Sequence, residues 1–136
     1  MRIKDEGYYN IIWFAIDVVG NVIVAQSLES EIPEFVKCDA EKTMTISEKL
    51  YCPRAIDREG KNLIDKEKMS SLYGFYCYVA DDPYESVYRI ASIPSRSKNI
   101  AAMPEYIKEM LTDNLVPFDA SITDRFKISN GIIQPL

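Results

Sequence analysis

Between positions 8 and 17 apolar side chains fall on both parities of the chain, with Ile12, Phe14 and Ile16 on one and Ile11, Trp13 and Ala15 on the other. A strand buried on both faces needs that pattern, which predicts a central strand. Asp17 and Gly20 then stand first and fourth in a four-residue stretch, as a type I turn prefers, and residues 22–27 resume strand character. The two segments predict a hairpin.

Past Ser27 the pattern turns polar and acidic, and Pro33 suits the first turn of a helix. Asp39 is placed to cap a helix running to Leu50, whereas Thr45 and Glu48 have the spacing of a capping box that starts a shorter one. The pattern leaves both starts open. Cys52 and Pro53 close this segment, residues 54–62 read as a charged loop, and residues 65–72 as a short helix stopped near Gly74. Residues 75–80 and 86–92 are strands by composition, joined by the turn formers Asp81, Asp82, Pro83, Tyr84 and Glu85. Pro104 opens an amphipathic helix with Met103, Ile107, Met110 and Leu111 along one stripe. An edge strand at 125–129 precedes an Asn130–Gly131 turn. These elements predict a single α+β domain over residues 1–136, a mostly antiparallel sheet built from hairpins with helices packed mainly on one face.

Composition supports a packed core, since 47% of the residues are hydrophobic and 27% charged. The apolar runs at 11–16 and 22–25 fall far short of the roughly 20 residues that span a bilayer. The first residues lack the layout of a secretory signal, so a cytoplasmic location is expected. Cys38, Cys52 and Cys77 form neither a CxxC pair nor a zinc pattern and read as reduced thiols. Cys52 has Arg54 and Arg58 nearby to favour its thiolate, whereas Cys77 sits mid-strand and should be buried and inert.

The chain contains no histidine. Ser-His-Asp and Cys-His hydrolysis and HExxH metalloproteolysis therefore fall together, leaving carboxylate, lysine, tyrosine or cysteine chemistry. No glycine-rich phosphate loop is present, although Ser95, Arg96, Ser97 and Lys98 offer two hydroxyls and two cations that suit either a phosphate contact or a solvated loop. Asp81, Asp82 and Glu85 match no ion-binding loop and read as turn residues, so no metal or cofactor is expected.

Charge supplies the functional pointer. The net charge is −5, and residues 1–41 hold eight acids against three bases, which accounts for all of it. That balance disfavours nucleic acid and anionic membrane and favours a protein partner with a basic surface. The candidate contact residues are Glu29, Glu31 and Glu34, in the acidic segment after the second strand, and Asp81, Asp82 and Tyr84, in the later turn. Tyr73, Tyr76, Tyr78, Tyr84 and Tyr88 surround one hairpin, where alternate members can face outward as interface anchors.

The run Trp13, Phe14, Ala15, Ile16, Asp17, Val18, Val19, Gly20, Asn21, followed by Ser27 and Pro33, resembles small bacterial proteins of unassigned function, some of them suspected immunity proteins of toxin systems. Gly74, Phe75, Tyr76, Cys77 and Tyr78, then Tyr88 to Ala91, Pro94 and the helix at Met103 and Pro104, follow in a similar order. Residues 28–32 depart from those proteins, which often carry glycines there. The resemblance implies a non-enzymatic protein that occludes a partner and carries over no catalytic residue. The alternative is a small enzyme or small-molecule-binding domain that uses carboxylate or tyrosine side chains in a cleft.

Overall fold

The computed structural model describes residues 10–50, 54–56, 62–82 and 85–136, with the backbone alone at 54–56, 62–64 and 82. Strands β1 (Ile12–Ile16) and β2 (Val22–Gln26) pair antiparallel with Phe14 opposite Val24, and every residue of both is buried. The turn between them closes through Gly20 N–H donating to the Asp17 carbonyl at 3.2 Å. A four-residue helix α1 (Glu34–Lys37) follows Pro33. Helix α2 (Ala40–Lys49) starts at Asp39, whose carboxylate accepts from Lys42 N–H at 3.0 Å. The Asp39 start is therefore the one realised, and Thr45 lies inside the helix with its hydroxyl donating to the Glu41 carbonyl.

Strands β3 (Arg54–Ile56) and β4 (Asn62–Ile64) pair antiparallel where a charged loop was expected. Three residues per strand are too few for an alternation to register, and charged composition alone suggested a loop. Cys52 lies outside the described residues. Helix α3 (Lys66–Tyr73) is capped by Asp65 and ends at Gly74, which takes the left-handed φ of 73°. Strands β5 (Tyr76–Asp82) and β6 (Val87–Ser92) form the second hairpin, and α4 (Glu105–Leu111) follows Pro104. Strands β7 (Arg125–Ser129) and β8 (Ile132–Pro135) flank the Asn130–Gly131 turn.

The six-stranded sheet runs β1-β2-β5-β6-β7-β8, antiparallel throughout except for the parallel β2–β5 pair. An α+β class with a mostly antiparallel sheet is what the hydrophobic pattern predicts. Two positions differ from expectation. β1 ends the sheet instead of lying at its centre, because burial on both parities reports the two faces and says nothing about the neighbours. Its outer edge is met at Ile16, which donates to the Asn114 carbonyl at 2.8 Å and accepts from Val116 N–H at 3.0 Å. β7 in turn is no edge, since the Asn130–Gly131 turn returns the chain along it as β8.

Both faces of the sheet are buried. One carries Trp13, Ile23, Tyr78, Tyr88 and Phe126, joined by Val36 of α1 and by Val116 and Phe118. The other carries Phe14, Val24, Phe75 and Cys77, joined by Ile46 of α2, Met69 of α3 and Leu111 of α4. Cys77 is fully buried, as its mid-strand position implied. No helix among the described residues is long and apolar enough to cross a membrane. Trp13 has no exposed surface and its indole N–H points at the Tyr88 hydroxyl, 3.4 Å away. Its fluorescence is expected to peak well to the blue of aqueous indole and to resist iodide. An emission maximum at the aqueous position, with ready quenching, would contradict this packing.

Candidate functional site

At the C-terminal ends of β2 and β5 the chain makes three turns that interlock. After β2, Ser30 N–H donates to the Ser27 carbonyl at 2.8 Å while Leu28 and Glu29 take φ values of 43° and 73°. Two left-handed central residues make a type I′ turn, a geometry usually given to Asn and Gly because a side chain strains it. The turn is held from below by Ser27, whose hydroxyl accepts from Ile11 N–H at 2.8 Å and whose own N–H donates to the Ile11 carbonyl.

Glu31 ties this turn to the other two. Its N–H donates to the Ser86 hydroxyl at 3.1 Å, at the foot of the β5–β6 turn, and its carbonyl accepts from the Tyr88 hydroxyl at 2.8 Å. Its carboxylate accepts from Gly131 N–H at 2.7 Å and from the buried Lys37 ammonium at 3.4 Å. Glu34 N–H donates to the Gly131 carbonyl, and a side chain at Gly131, where φ is 78°, would meet Glu34 atoms at 3.1–3.2 Å. Glycine is needed there on both counts. Ser86 accepts from Ile128 N–H through its carbonyl.

Among the described residues, the four non-glycine positions with positive φ are Leu28, Glu29, Ser86 and Asn130, and all lie in these three turns. Such conformations cost on the order of 1–3 kcal/mol each, less for Asn, and persist only where surrounding contacts hold them. Here the contacts are the Glu31 and Glu34 bonds just described. No family model, curated protein or solved structure matches the chain.

The candidate residues meet different fates. Glu29 is exposed at the tip of the strained turn and pairs with no base among the described residues, and Glu34 is exposed on the first turn of α1. Glu31 is half-buried and committed to Lys37 and Gly131, so reversing its charge would not be neutral to folding, contrary to what an exposed acidic loop implies. Asp81 is exposed and pairs with Arg89, while Glu85 pairs with Lys127 at 3.5 Å. Asp82 continues β5 opposite Val87; its side chain, and Tyr84 altogether, lie outside the described residues. Of the tyrosines around this hairpin, Tyr76, Tyr78 and Tyr88 are core residues and Tyr73 is half-buried. Burial pushes the Tyr88 phenol well above its usual range and keeps it a donor to Glu31.

Asp17, one of the acids behind the first-third charge excess, is buried at the opposite end of β1. It contributes nothing to an acidic surface. Ser86, Asn130 and Gly131 had no functional pointer in the sequence: the Asn–Gly turn was visible, but its contact with residues a hundred positions earlier was not. Among the described residues no three acidic or thiol side chains gather as a metal ion requires.

Proposed function

We propose that this chain is a non-enzymatic binding protein of the immunity type, acting in the bacterial cytoplasm, and that it occludes a protein partner with a basic surface through the three-turn end of its sheet. The observation that carries this is the concentration of left-handed non-glycine residues in three mutually bonded turns that present Glu29 and Glu34 to solvent. Strain retained at one end of a sheet is a mark of a functional surface. Loops already held by hydrogen bonds lose little further freedom on association, so their charges steer an approaching cation at low ordering cost. Asp81 extends the same acidic end, moderated by Arg89.

The test is kinetic. With a partner isolated by pull-down, the Glu29→Lys/Glu34→Lys variant is expected to associate about tenfold or more slowly at low ionic strength, with the difference shrinking as salt screens it. Glu67→Lys/Glu109→Lys, an equal charge change at exposed positions of α3 and α4, should leave the rate within a small factor. Equal rates for wild type and the Glu29/Glu34 variant across the salt series would remove this end as the binding face.

A further inference from the structure

At the other end of the sheet three exposed cations gather. A hollow of about 240 Å³ opens where the last residues of α2 and α3 meet the approach to α4. Its floor is apolar, formed by the buried Leu50, Met103 and Ile107, and Tyr73 and Tyr106 wall it. Lys49 and Lys98 stand exposed at its rim. A second hollow of about 360 Å³ adjoins it, sharing Tyr73 and Lys98 and adding Arg96. These three cations make no ion pair with any described residue, although the chain carries an excess of acids. Glu105, the acid at the start of α4, is turned to Lys108 at 3.7 Å.

The loop that carries two of the cations is fixed at both ends. Lys98 N–H donates to the Gly74 carbonyl at 2.9 Å, and a side chain at Gly74 would strike the Arg96 carbonyl at 2.6 Å, so backbone lies directly on backbone. Beyond it, the Asn99 side chain donates to the Val19 carbonyl and accepts from Ala101 N–H, while Ile100 N–H donates to the Gly20 carbonyl. The residues that read in sequence as either a phosphate contact or a solvated loop are thus exposed side chains on an anchored backbone.

The geometry points to a binding site for a small amphipathic anion, a one- or two-ring apolar body carrying a phosphate, sulfonate or carboxylate. The apolar floor takes the body, the two tyrosines flank it, and the unpaired cations take the head group. Size sets the limit on the body, since 240 Å³ lies below the range of about 300–1,000 Å³ usual for drug-sized ligands. This site is independent of the acidic end.

The probe is 1-naphthyl phosphate, titrated into the isotopically labelled protein and followed by amide chemical shifts. Saturable shifts are expected at Tyr73, Lys98, Met103 and Ile107. Lys49→Glu/Lys98→Glu should raise the dissociation constant at least about tenfold, and neutral 1-naphthol should bind about tenfold more weakly than the phosphate. The control Lys66→Glu/Lys68→Glu changes the net charge equally at exposed positions near the start of α3 and should leave the constant unchanged. All four lysines are solvent-facing or rim positions, and thermal melts confirm that each variant is folded. Absence of saturation through the millimolar range, shifts centred elsewhere, or an equal loss in both double variants overturns the site.

Discussion

Replacing Phe126 with alanine is expected to lower the unfolding free energy by roughly 3–5 kcal/mol, the upper range for truncating a buried aromatic. The ring has no exposed surface and touches four others: stacked on Tyr88 at 4.8 Å and on Phe118 at 5.1 Å, edge-on to Tyr78 at 5.0 Å and to Trp13 at 6.1 Å. Three of those neighbours cannot close the resulting cavity without breaking bonds of their own. Tyr78 donates to the Thr123 carbonyl at 2.6 Å, Tyr88 to the Glu31 carbonyl, and the Trp13 indole to Tyr88. Since a domain of this size is stable by about 5–15 kcal/mol, the loss is about a fifth or more of the whole. Urea unfolding followed by Trp13 fluorescence measures the loss, and a value under about 1.5 kcal/mol would mean that the rings do relax into the space.

Asp17→Ala is expected to cost a similar amount by a different route. The carboxylate is buried and accepts four hydrogen bonds: Val19 N–H at 3.0 Å, Asn21 N–H at 2.8 Å, the Asn21 side-chain amide at 2.9 Å and Ala120 N–H at 2.9 Å. Removing it strands several donors at once, each costing about 1–3 kcal/mol when buried and unmet, with a non-additive total near 3–5 kcal/mol. The Ala120 bond also joins the β1–β2 turn to a segment 103 positions away, so the damage is not confined to the hairpin. Asp17→Asn keeps the volume but sets an amide N–H₂ against N–H donors, and should recover only part of the loss. Thermal melting at fixed pH is the measurement, with Asp17→Ala expected to melt roughly 10–20 °C below wild type. A fall of only a few degrees would show that water or a rearranged turn meets those donors.

The legible parts of this fold were those whose cause lies within a few residues. Asp65, Gly74 and Pro104 each bound a helix through a local bond or a fixed φ where the pattern indicated, and Asp39 does so at one of the two starts the pattern left open. The Asp17–Gly20 turn likewise follows from its own four residues. What escaped was pairing at a distance. Nothing near β2 announces that its outer neighbour is β5, parallel to it and about fifty residues on, and nothing near β1 announces that 114–116 lies along it. The candidate acids show the same division. Their charge was visible, but whether a glutamate faces solvent or grips a turn depends on where Gly131 arrives, which separates Glu29 from Glu31 although they are two positions apart.

The bond from Glu31 to Gly131 spans 100 positions of chain, and the β1 contact at Asn114 as many. Closures of that length must be made before they are rewarded, which slows their formation relative to the local turns. The three-turn end is also defined by its most sequence-distant contacts: Leu28 and Glu29 are held locally through Ser27, but Glu31 and Glu34 are joined to Gly131 only once the β7–β8 turn has docked. A chain lacking its last two strands cannot assemble that end. If this end is the binding face proposed above, its partner meets only a finished molecule, and binding reports that folding is complete.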